Sequence, residues 1–160
     1  MSGTIRTEPV LGGLTPLRVF RAAAVAEAIT WALLLAGMFL KHVTETTELG
    51  VRIFGMLHGV VFVGYCLVAV LVWADQRWTL RHGVLALVAA IPPFATVPFD
   101  RYAERRGLLG GTWRSSLDAD TRAQRLVGRL LLHPGRALVL GALAVVVLTG
   151  LALLVGPPTA

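Results

Sequence analysis

Two ionisable residues and one tyrosine lie inside long apolar segments of this sequence. Glu27 falls within the run VFRAAAVAEAITWALLLAGMFLKH, whereas His58 and Tyr65 fall within FGMLHGVVFVGYCLV. An ionisable side chain among apolar neighbours is costly to desolvate, so such a residue commonly marks a site for a proton, an ion or a polar ligand. The same three residues could equally hold helices together through hydrogen bonds. The sequence leaves both interpretations open.

Counting residues from the segment ends predicts the depth of each side chain, because consecutive membrane-spanning helices run antiparallel. Glu27 lies 14 residues before Lys41, and Tyr65 lies 14 residues after Val51, so Glu27 and Tyr65 should be level. We expect Glu27 either to be protonated or to accept a hydrogen bond from the Tyr65 hydroxyl group. Thr30, one helical turn along, is a further candidate partner.

His58 is expected to face a third apolar segment that contains Pro92 and Pro93. It could donate to a backbone carbonyl that these prolines leave free, at Val88 or Ala89. Glu27 and His58 should differ in depth by about 10 Å, which disfavours direct pairing. Haem or metal ligation by His58 is not favoured either, and we predict no cofactor and no metal, because the remaining histidines fall at helix ends: His42, His82 and His133.

A second set of charged residues flanks the apolar segments. We expect these residues to converge at the cytoplasmic end as an ionic cluster of Lys41, Arg52, Asp100 and Arg101, joined by Glu104. The simplest role is a salt bridge from Asp100 to Lys41 or Arg52, and the alternative is binding of phospholipid headgroups. At the opposite end, Arg18 and Arg21 should lie level with Asp75.

The elements that position these residues are predicted from composition. Apolar residues make up 56% of the 160 residues and charged residues 15%, against roughly 25% charged in soluble domains. The mean hydropathy is +0.72. A soluble fold could not cover so much apolar surface, so the sequence indicates an all-α, polytopic transmembrane bundle in a bacterial plasma membrane. Lys41 is the single lysine among 15 basic residues, a bias that suggests a GC-rich genome such as that of an actinobacterium.

Four membrane spans are predicted, at residues 19–40, 51–74, 83–99 and 137–155, and prolines should kink the third near residues 88–94. The domain boundaries that follow are a mobile arm (1–16), a three-span core (17–106), an Arg-rich cytoplasmic loop with an interfacial amphipathic helix (107–136) and a fourth span (137–156). A plain solvated connector helix is the alternative within 107–136.

The distribution of basic residues predicts the orientation of four such spans. Five would lie on the side of the N-terminus and ten on the other side. The positive-inside rule then places both termini outside the cell and the Arg-rich loop in the cytoplasm. The net charge of +6 does not indicate nucleic acid as a partner, because the sequence has no basic recognition helix and no aromatic–basic platform.

The apolar runs, together with the segment IPPFATVPFDRYAERR, resemble the bacterial membrane protein family called domain of unknown function 3817. The resemblance covers residues 18–106, departs from the family pattern at Ala28, Phe39, His42 and Ala95, and implies the membrane topology but no activity. The positions that match are Phe20, Arg21, Glu27, Met38, Leu40, Lys41, His58, Gly59, Tyr65, Pro93, Phe94, Thr96, Asp100 and Arg101.

Three functional interpretations follow. The leading one is a non-enzymatic accessory or assembly subunit that packs against a larger membrane partner, because Gly55 and Gly59 form a small-residue pair suited to helix–helix contact. The alternative is a small oligomeric transporter or lipid-binding protein that uses Glu27, His58 and Tyr65. A membrane-embedded enzyme acting on a lipid is the third, but it would need titratable groups at one depth. The predicted partners are therefore membrane lipids and either another membrane protein or a second copy of the chain.

Overall fold

The computed structural model describes residues 14–45 and 47–113, together with the single positions 139, 143, 146, 147, 150 and 151. The continuous part contains four helices and no strand. They are α1 (Pro16–His42), α2 (Leu49–Asp75), α3 (Leu80–Val88) and α4 (Thr96–Arg105). The all-α prediction is confirmed for these residues. The predicted arm, most of the Arg-rich loop and the fourth span lie outside the described residues, apart from the six single positions, which are helical.

Helix α1 begins where the sequence offers both a cap and a suitable first residue. The Thr15 side chain accepts a hydrogen bond from the backbone N–H of Arg18 at 3.2 Å. Pro16 follows at the first helical position, where its missing N–H costs nothing. The helix then runs for 27 residues, about 40 Å, which is enough to cross a bilayer.

Helices α1 and α2 are each long and apolar enough to span a membrane, and they are the two described helices that qualify. Only 22% of the most apolar stretch of either helix is buried within the protein. A core helix of a soluble protein would be mostly covered by its own chain, so these apolar surfaces need an apolar environment. The two helices form an antiparallel pair that approaches closely at Gly37 and Gly50, where a Cβ on Gly37 would lie 2.8 Å from a backbone carbon of Gly50.

Residues 80–105 form a helical hairpin, which consists of α3, a non-helical tip (89–95) and α4. The carbonyl oxygen of Ala90, in the tip, lies 3.5 Å from the indole nitrogen of Trp31, near the middle of α1. Ten residues later, Asp100 pairs with Arg21, close to the start of α1. The chain therefore descends about halfway along α1 and then returns to the end from which it came.

Contacts at the base of the hairpin also show that the chain returns to the end where α3 begins. The Tyr102 hydroxyl group of α4 lies 3.4 Å from Nε2 of His82 in α3. Beyond α4, the Trp78 indole donates to the carbonyl of Leu108 at 2.7 Å, and the Trp113 indole donates to the carbonyl of Leu14 at 2.7 Å. The start of α1, the end of α2 and the base of the hairpin thus lie at one end of the bundle.

This geometry corrects the prediction of a third span over residues 83–99. The predicted break near residues 88–94 is confirmed, because α3 ends at Val88, but the break reverses the chain instead of kinking a crossing helix. Pro92 and Pro93 provide no N–H to continue the helix, and Phe94 adopts a left-handed φ of 65° that turns the backbone. Helices of nine and ten residues reach about 13–15 Å each, which is half of a bilayer core.

The core of the described fold is aromatic and lies between α1, α2 and the hairpin. Phe20 is completely buried. Its ring centroid lies 5.7 Å from those of Tyr65 and Trp78, and 6.0 Å from that of Phe99. These distances fit favourable edge and tilted ring packing. Phe20 therefore joins α1 to α2, to the connection before α3, and to α4.

Replacing Gly83 with alanine should destabilise this packing, because the added methyl group would overlap the Trp73 indole. The indole is held in place, since its N–H donates to the Trp78 carbonyl at 2.9 Å. Overpacking of this kind costs about 1–3 kcal/mol, so the thermal unfolding midpoint of the purified Gly83→Ala variant in detergent should fall. Gly59→Ala is the matched control, because nothing lies within 4 Å of its added methyl group. An equal fall in both variants would contradict the packing of α3 on α2.

Candidate functional site

The buried polar side chains of the described residues lie where α1 and α2 meet the hairpin, and Glu27 and Thr96 are the two that are completely enclosed. The exposed fraction of Glu27 is 0%. Oε2 of Glu27 lies 2.7 Å from the Thr96 hydroxyl oxygen, in the first turn of α4. Oε1 has no hydrogen-bond partner within the described part of the chain. Glu27 therefore connects the middle of α1 to the returning arm of the hairpin and retains one free acceptor atom.

The Thr96 hydroxyl group lies near two acceptors but has one hydrogen to donate. Its oxygen is 2.7 Å from Oε2 of Glu27 and 3.1 Å from the carbonyl oxygen of Ala24. Both contacts are hydrogen bonds when Glu27 is the neutral acid, which donates to Thr96 while Thr96 donates to Ala24. The neutral acid also suits complete burial, because an isolated carboxylate is far more costly in an apolar interior.

His58 makes its polar contact with α1. Nδ1 of His58 lies 3.0 Å from the Thr30 hydroxyl oxygen, and that hydroxyl group donates to the backbone carbonyl of Glu27 at 2.9 Å. Because the Thr30 hydrogen is used in this way, Nδ1 of His58 must be the donor in the other contact. The imidazole ring also packs against Trp31, with ring centroids 4.5 Å apart. The expected bond from His58 to the carbonyl of Val88 or Ala89 is not formed.

Tyr65 bonds to the hairpin and not to Glu27. Its hydroxyl group donates to the carbonyl of Ala86, in α3, at 3.0 Å, and its side chain is 1% exposed. The expected pairing of Tyr65 with Glu27 is therefore wrong. Thr30 contacts the backbone of Glu27 and not its carboxyl group, so that expectation is also corrected. The register of α1 and α2 differs from the predicted one, because Tyr65 packs on Phe20, about two helical turns before Glu27. The hydroxyl group that reaches the carboxyl group of Glu27 comes from Thr96 of the hairpin.

Three contacts at different levels hold the hairpin against the long helices. Tyr65 contacts Ala86, the Trp31 indole contacts Ala90, and Glu27 contacts the returning arm. Sequence reasoning gave no role to Thr96 or Trp31. The position of Trp31 in the middle of a span could have indicated a polar contact there, because tryptophan prefers the membrane–water interface. The buried polar residues thus act, in this geometry, as fasteners of the hairpin.

The predicted ionic cluster of Lys41, Arg52, Asp100 and Arg101 is not brought together. Asp100 bonds to Nε of Arg21 at 2.9 Å, whereas Lys41 lies 20 residues further along α1, about 30 Å away. Lys41 pairs instead with Glu48 at 3.2 Å. Arg52 and Arg101 are exposed at opposite ends. The cause is the hairpin, which returns Asp100 to the start of α1 instead of carrying it across.

Arg21 is the residue that this arrangement makes important. Its guanidinium group bonds to Asp100 and, through Nη2, to Oε2 of Glu104 at 2.5 Å. The Asp100 side chain is only 6% exposed. Its second oxygen, Oδ1, has no partner within the described residues. The sequence placed Arg21 level with Asp75, and both residues do lie at the same end of the bundle. It missed the pairing of Arg21 with Asp100, because it assumed a third crossing.

Among the described residues, no three histidine, cysteine, aspartate or glutamate side chains lie together in a way that could hold a metal ion. His58 contacts a hydroxyl group and aromatic rings, and Cys66 is a free, partly buried thiol.

The fold and the buried cluster define an all-helical protein with two helices of membrane-spanning length and a helical hairpin fastened between them. Residues 17–105 match the family described as Domain of unknown function (DUF3817). The match covers more than half of the chain, which therefore belongs to this family, and the resemblance noted in the sequence is confirmed.

A relative in Streptomyces coelicolor is named "Putative membrane protein SCO5905". It is 54% identical to this chain over 94 residues. The aligned segment covers 58% of this chain but 11% of the relative, so this chain spans only a small part of the relative's length. No solved structure matches the chain.

Glutamine should replace Glu27 with little loss of stability, because its amide group can donate to Thr96 as the neutral acid does. Glu27→Ala removes that donor and leaves a cavity, which should lower the free energy of unfolding by about 2–5 kcal/mol. Thermal midpoints of both purified variants in detergent measure the difference. If glutamine were as damaging as alanine, the hydrogen-bond assignment at Thr96 would be wrong.

Arg21→Gln should destabilise the hairpin, because it leaves the buried carboxylate of Asp100 without its cationic partner. Loss of a hydrogen bond to a charged group costs about 1–3 kcal/mol, and the partial exposure of Arg21 favours the lower half of that range. Arg101→Gln is the control, since Arg101 is exposed and adjacent to the same aspartate. Adding Asp100→Asn to Arg21→Gln should raise the thermal unfolding midpoint part of the way back to that of the unsubstituted protein. No rescue would argue against this ion pair.

Proposed function

We propose that this protein is a non-enzymatic accessory module of a bacterial plasma membrane, which packs against a larger membrane protein through the tip of its hairpin. The observation that carries the proposal is the exposure of the tip at half the depth of the bundle. Ile91 is 64% exposed and Phe94 is 44% exposed, and Pro92 and Pro93 between them are also exposed.

Exposed non-helical backbone is unfavourable at this depth. Ala90 lies level with Trp31, about 22 Å along α1 from its start. The hydrogen bonds of the described residues leave the carbonyls of Ala89, Ile91 and Pro93 without a donor. Irregular backbone in the hydrocarbon region is tolerated where protein covers it or where it lines a water-filled cavity. A partner protein over the tip would meet this requirement.

The length of the relative supports a large partner. A protein in which the matched segment is 11% of the chain carries this module joined to a polypeptide several times longer. Covalent linkage holds two parts of one polypeptide close together, and binding does the same for two separate chains. We infer that the module in this chain packs against a membrane polypeptide in the corresponding way.

The contacts of the buried polar residues also favour this proposal. Glu27, Tyr65 and Trp31 each use a polar atom to hold the hairpin. A residue used in this way gives the hairpin a fixed position, as a docking surface requires. Apart from Oε1 of Glu27, the polar atoms of these three side chains are therefore accounted for without a substrate.

The alternative is a small oligomeric transporter or lipid-binding protein, and Oε1 of Glu27 is the observation that favours it. This atom is buried and has no partner among the described residues, so it could accept a proton-bearing or cationic ligand. Under this alternative Glu27→Gln should abolish activity while the amount of folded protein in the membrane stays the same.

A photoreactive amino acid at Phe94 should crosslink the chain to one unlike, larger membrane protein in native membranes. The matched control is the same amino acid at Ile29, which is 56% exposed on α1 and should not crosslink to that protein. The doubly substituted Ile91→Ser, Phe94→Asn variant should fail to co-purify it in mild detergent, whereas Ile29→Ser should retain it. Asparagine suits the left-handed backbone at position 94, so the variant should fold.

Three outcomes would contradict the proposal. Crosslinks to a second copy of the chain would favour the oligomeric alternative. Crosslinks to residues 137–156 of the same chain would mean that the tip is covered internally. Crosslinks to lipid alone would mean that the tip faces the bilayer.

A further inference from the structure

The two ends of the described bundle differ in charge because of the hairpin. One end, which we name the basic end, gathers the start of α1, the connection from α2 to α3, and the end of α4. It carries seven arginines and three carboxylates, an excess of four positive charges. These residues are Arg18, Arg21, Arg77, Arg81, Arg101, Arg105 and Arg106, with Asp75, Asp100 and Glu104.

The opposite end, at the connection from α1 to α2, has no such excess in its described residues. Lys41 and Arg52 are balanced there by Glu45 and Glu48, and Lys41 is paired with Glu48. This asymmetry is counted among the described residues alone. It exists because α4 returns its arginines to the end where α1 begins.

The basic end presents arginines that its carboxylates do not neutralise. Arg21 engages Asp100 and Glu104. Arg101 and Arg105 are exposed and form no salt bridge with any described residue. They lie four residues apart on α4 and so share one face of the helix.

Two further exposed arginines lie at the same end of the bundle. Arg81 lies at the start of α3, beside α4, where Tyr102 approaches His82. Arg106 lies over the Tyr102 ring, 5.5 Å from its centroid. A guanidinium group binds phosphate through paired N–H donors, so the basic end suits phosphate-bearing headgroups at the membrane surface.

We infer that the basic end lies at the cytoplasmic leaflet and binds anionic phospholipid headgroups. The positive-inside rule orients short connections by their arginines and lysines, and the cytoplasmic leaflet attracts basic residues near its surface. This orientation reverses the one predicted from four crossings. That count placed Arg101, Arg105 and Arg106 opposite Arg18 and Arg21, whereas the hairpin puts all five at the same end.

Single cysteines test the orientation. In a Cys66→Ala background, Thr47→Cys places a thiol in the connection from α1 to α2, and Thr112→Cys places one at the basic end, both at exposed positions. In intact cells a membrane-impermeant maleimide should label the Thr47→Cys variant. It should label the Thr112→Cys variant only after permeabilisation. Labelling of Thr112→Cys in intact cells, or no labelling of Thr47→Cys, would overturn the inference.

Binding of phosphatidylglycerol, an anionic phospholipid, tests the proposed contact with headgroups. Native mass spectrometry of the purified full chain should show phosphatidylglycerol bound in preference to phosphatidylcholine. The Arg101→Gln, Arg105→Gln variant should bind phosphatidylglycerol about tenfold more weakly. Lys41→Gln, Arg52→Gln removes the same number of charges from the opposite end and should leave that affinity unchanged. Equal loss in the two variants, or no preference over phosphatidylcholine, would overturn the lipid assignment, and the cysteine result would still decide the orientation.

Discussion

A backbone that stops being helical inside hydrocarbon loses the water that would satisfy its N–H and C=O groups, and residues 89–95 face that constraint wherever α1 and α2 span a bilayer. Pro92 and Pro93 end α3 there, and the φ of 65° at Phe94 reverses the chain. The contacts beneath the tip follow from this reversal. Thr96 reaches Glu27, and the Ala90 carbonyl approaches the Trp31 indole.

The hairpin also determines which charged residues meet. Because α4 runs back towards the start of α1, Asp100 and Glu104 find Arg21 and not Lys41. One guanidinium group thereby holds two carboxylates at the base of the hairpin, one of them nearly buried. The remaining arginines of α4 stay exposed at the same end, which makes the bundle electrically asymmetric.

The sequence-based predictions succeeded where the local signal was long and repeated. Two apolar stretches of sufficient length predicted α1 and α2, and the prolines predicted the end of helical structure after Val88. Depth counting failed for Glu27 and Tyr65 within α1 and α2 themselves, because it took Lys41 and Val51 as level, whereas Tyr65 packs on Phe20 and His58 reaches Thr30. It failed for Asp100 and Lys41 for a different reason, because it assumed that the third apolar segment crosses completely. A proline break shows where a helix stops but not in which direction the chain continues.

The sequence by itself determined the apolar character of the chain, its helical class, its family and the identity of the costly buried residue Glu27. Composition, the periodicity of apolar residues and the order of the motifs can all be read from the sequence without knowledge of the fold. Only the tertiary structure decided that the third apolar segment turns back, and so which partners Glu27 and Arg21 have and at which end the arginines of α4 lie. Those outcomes depend on the direction of the chain after Phe94, which is fixed by packing against α1 and α2 and leaves no periodic signal in the sequence.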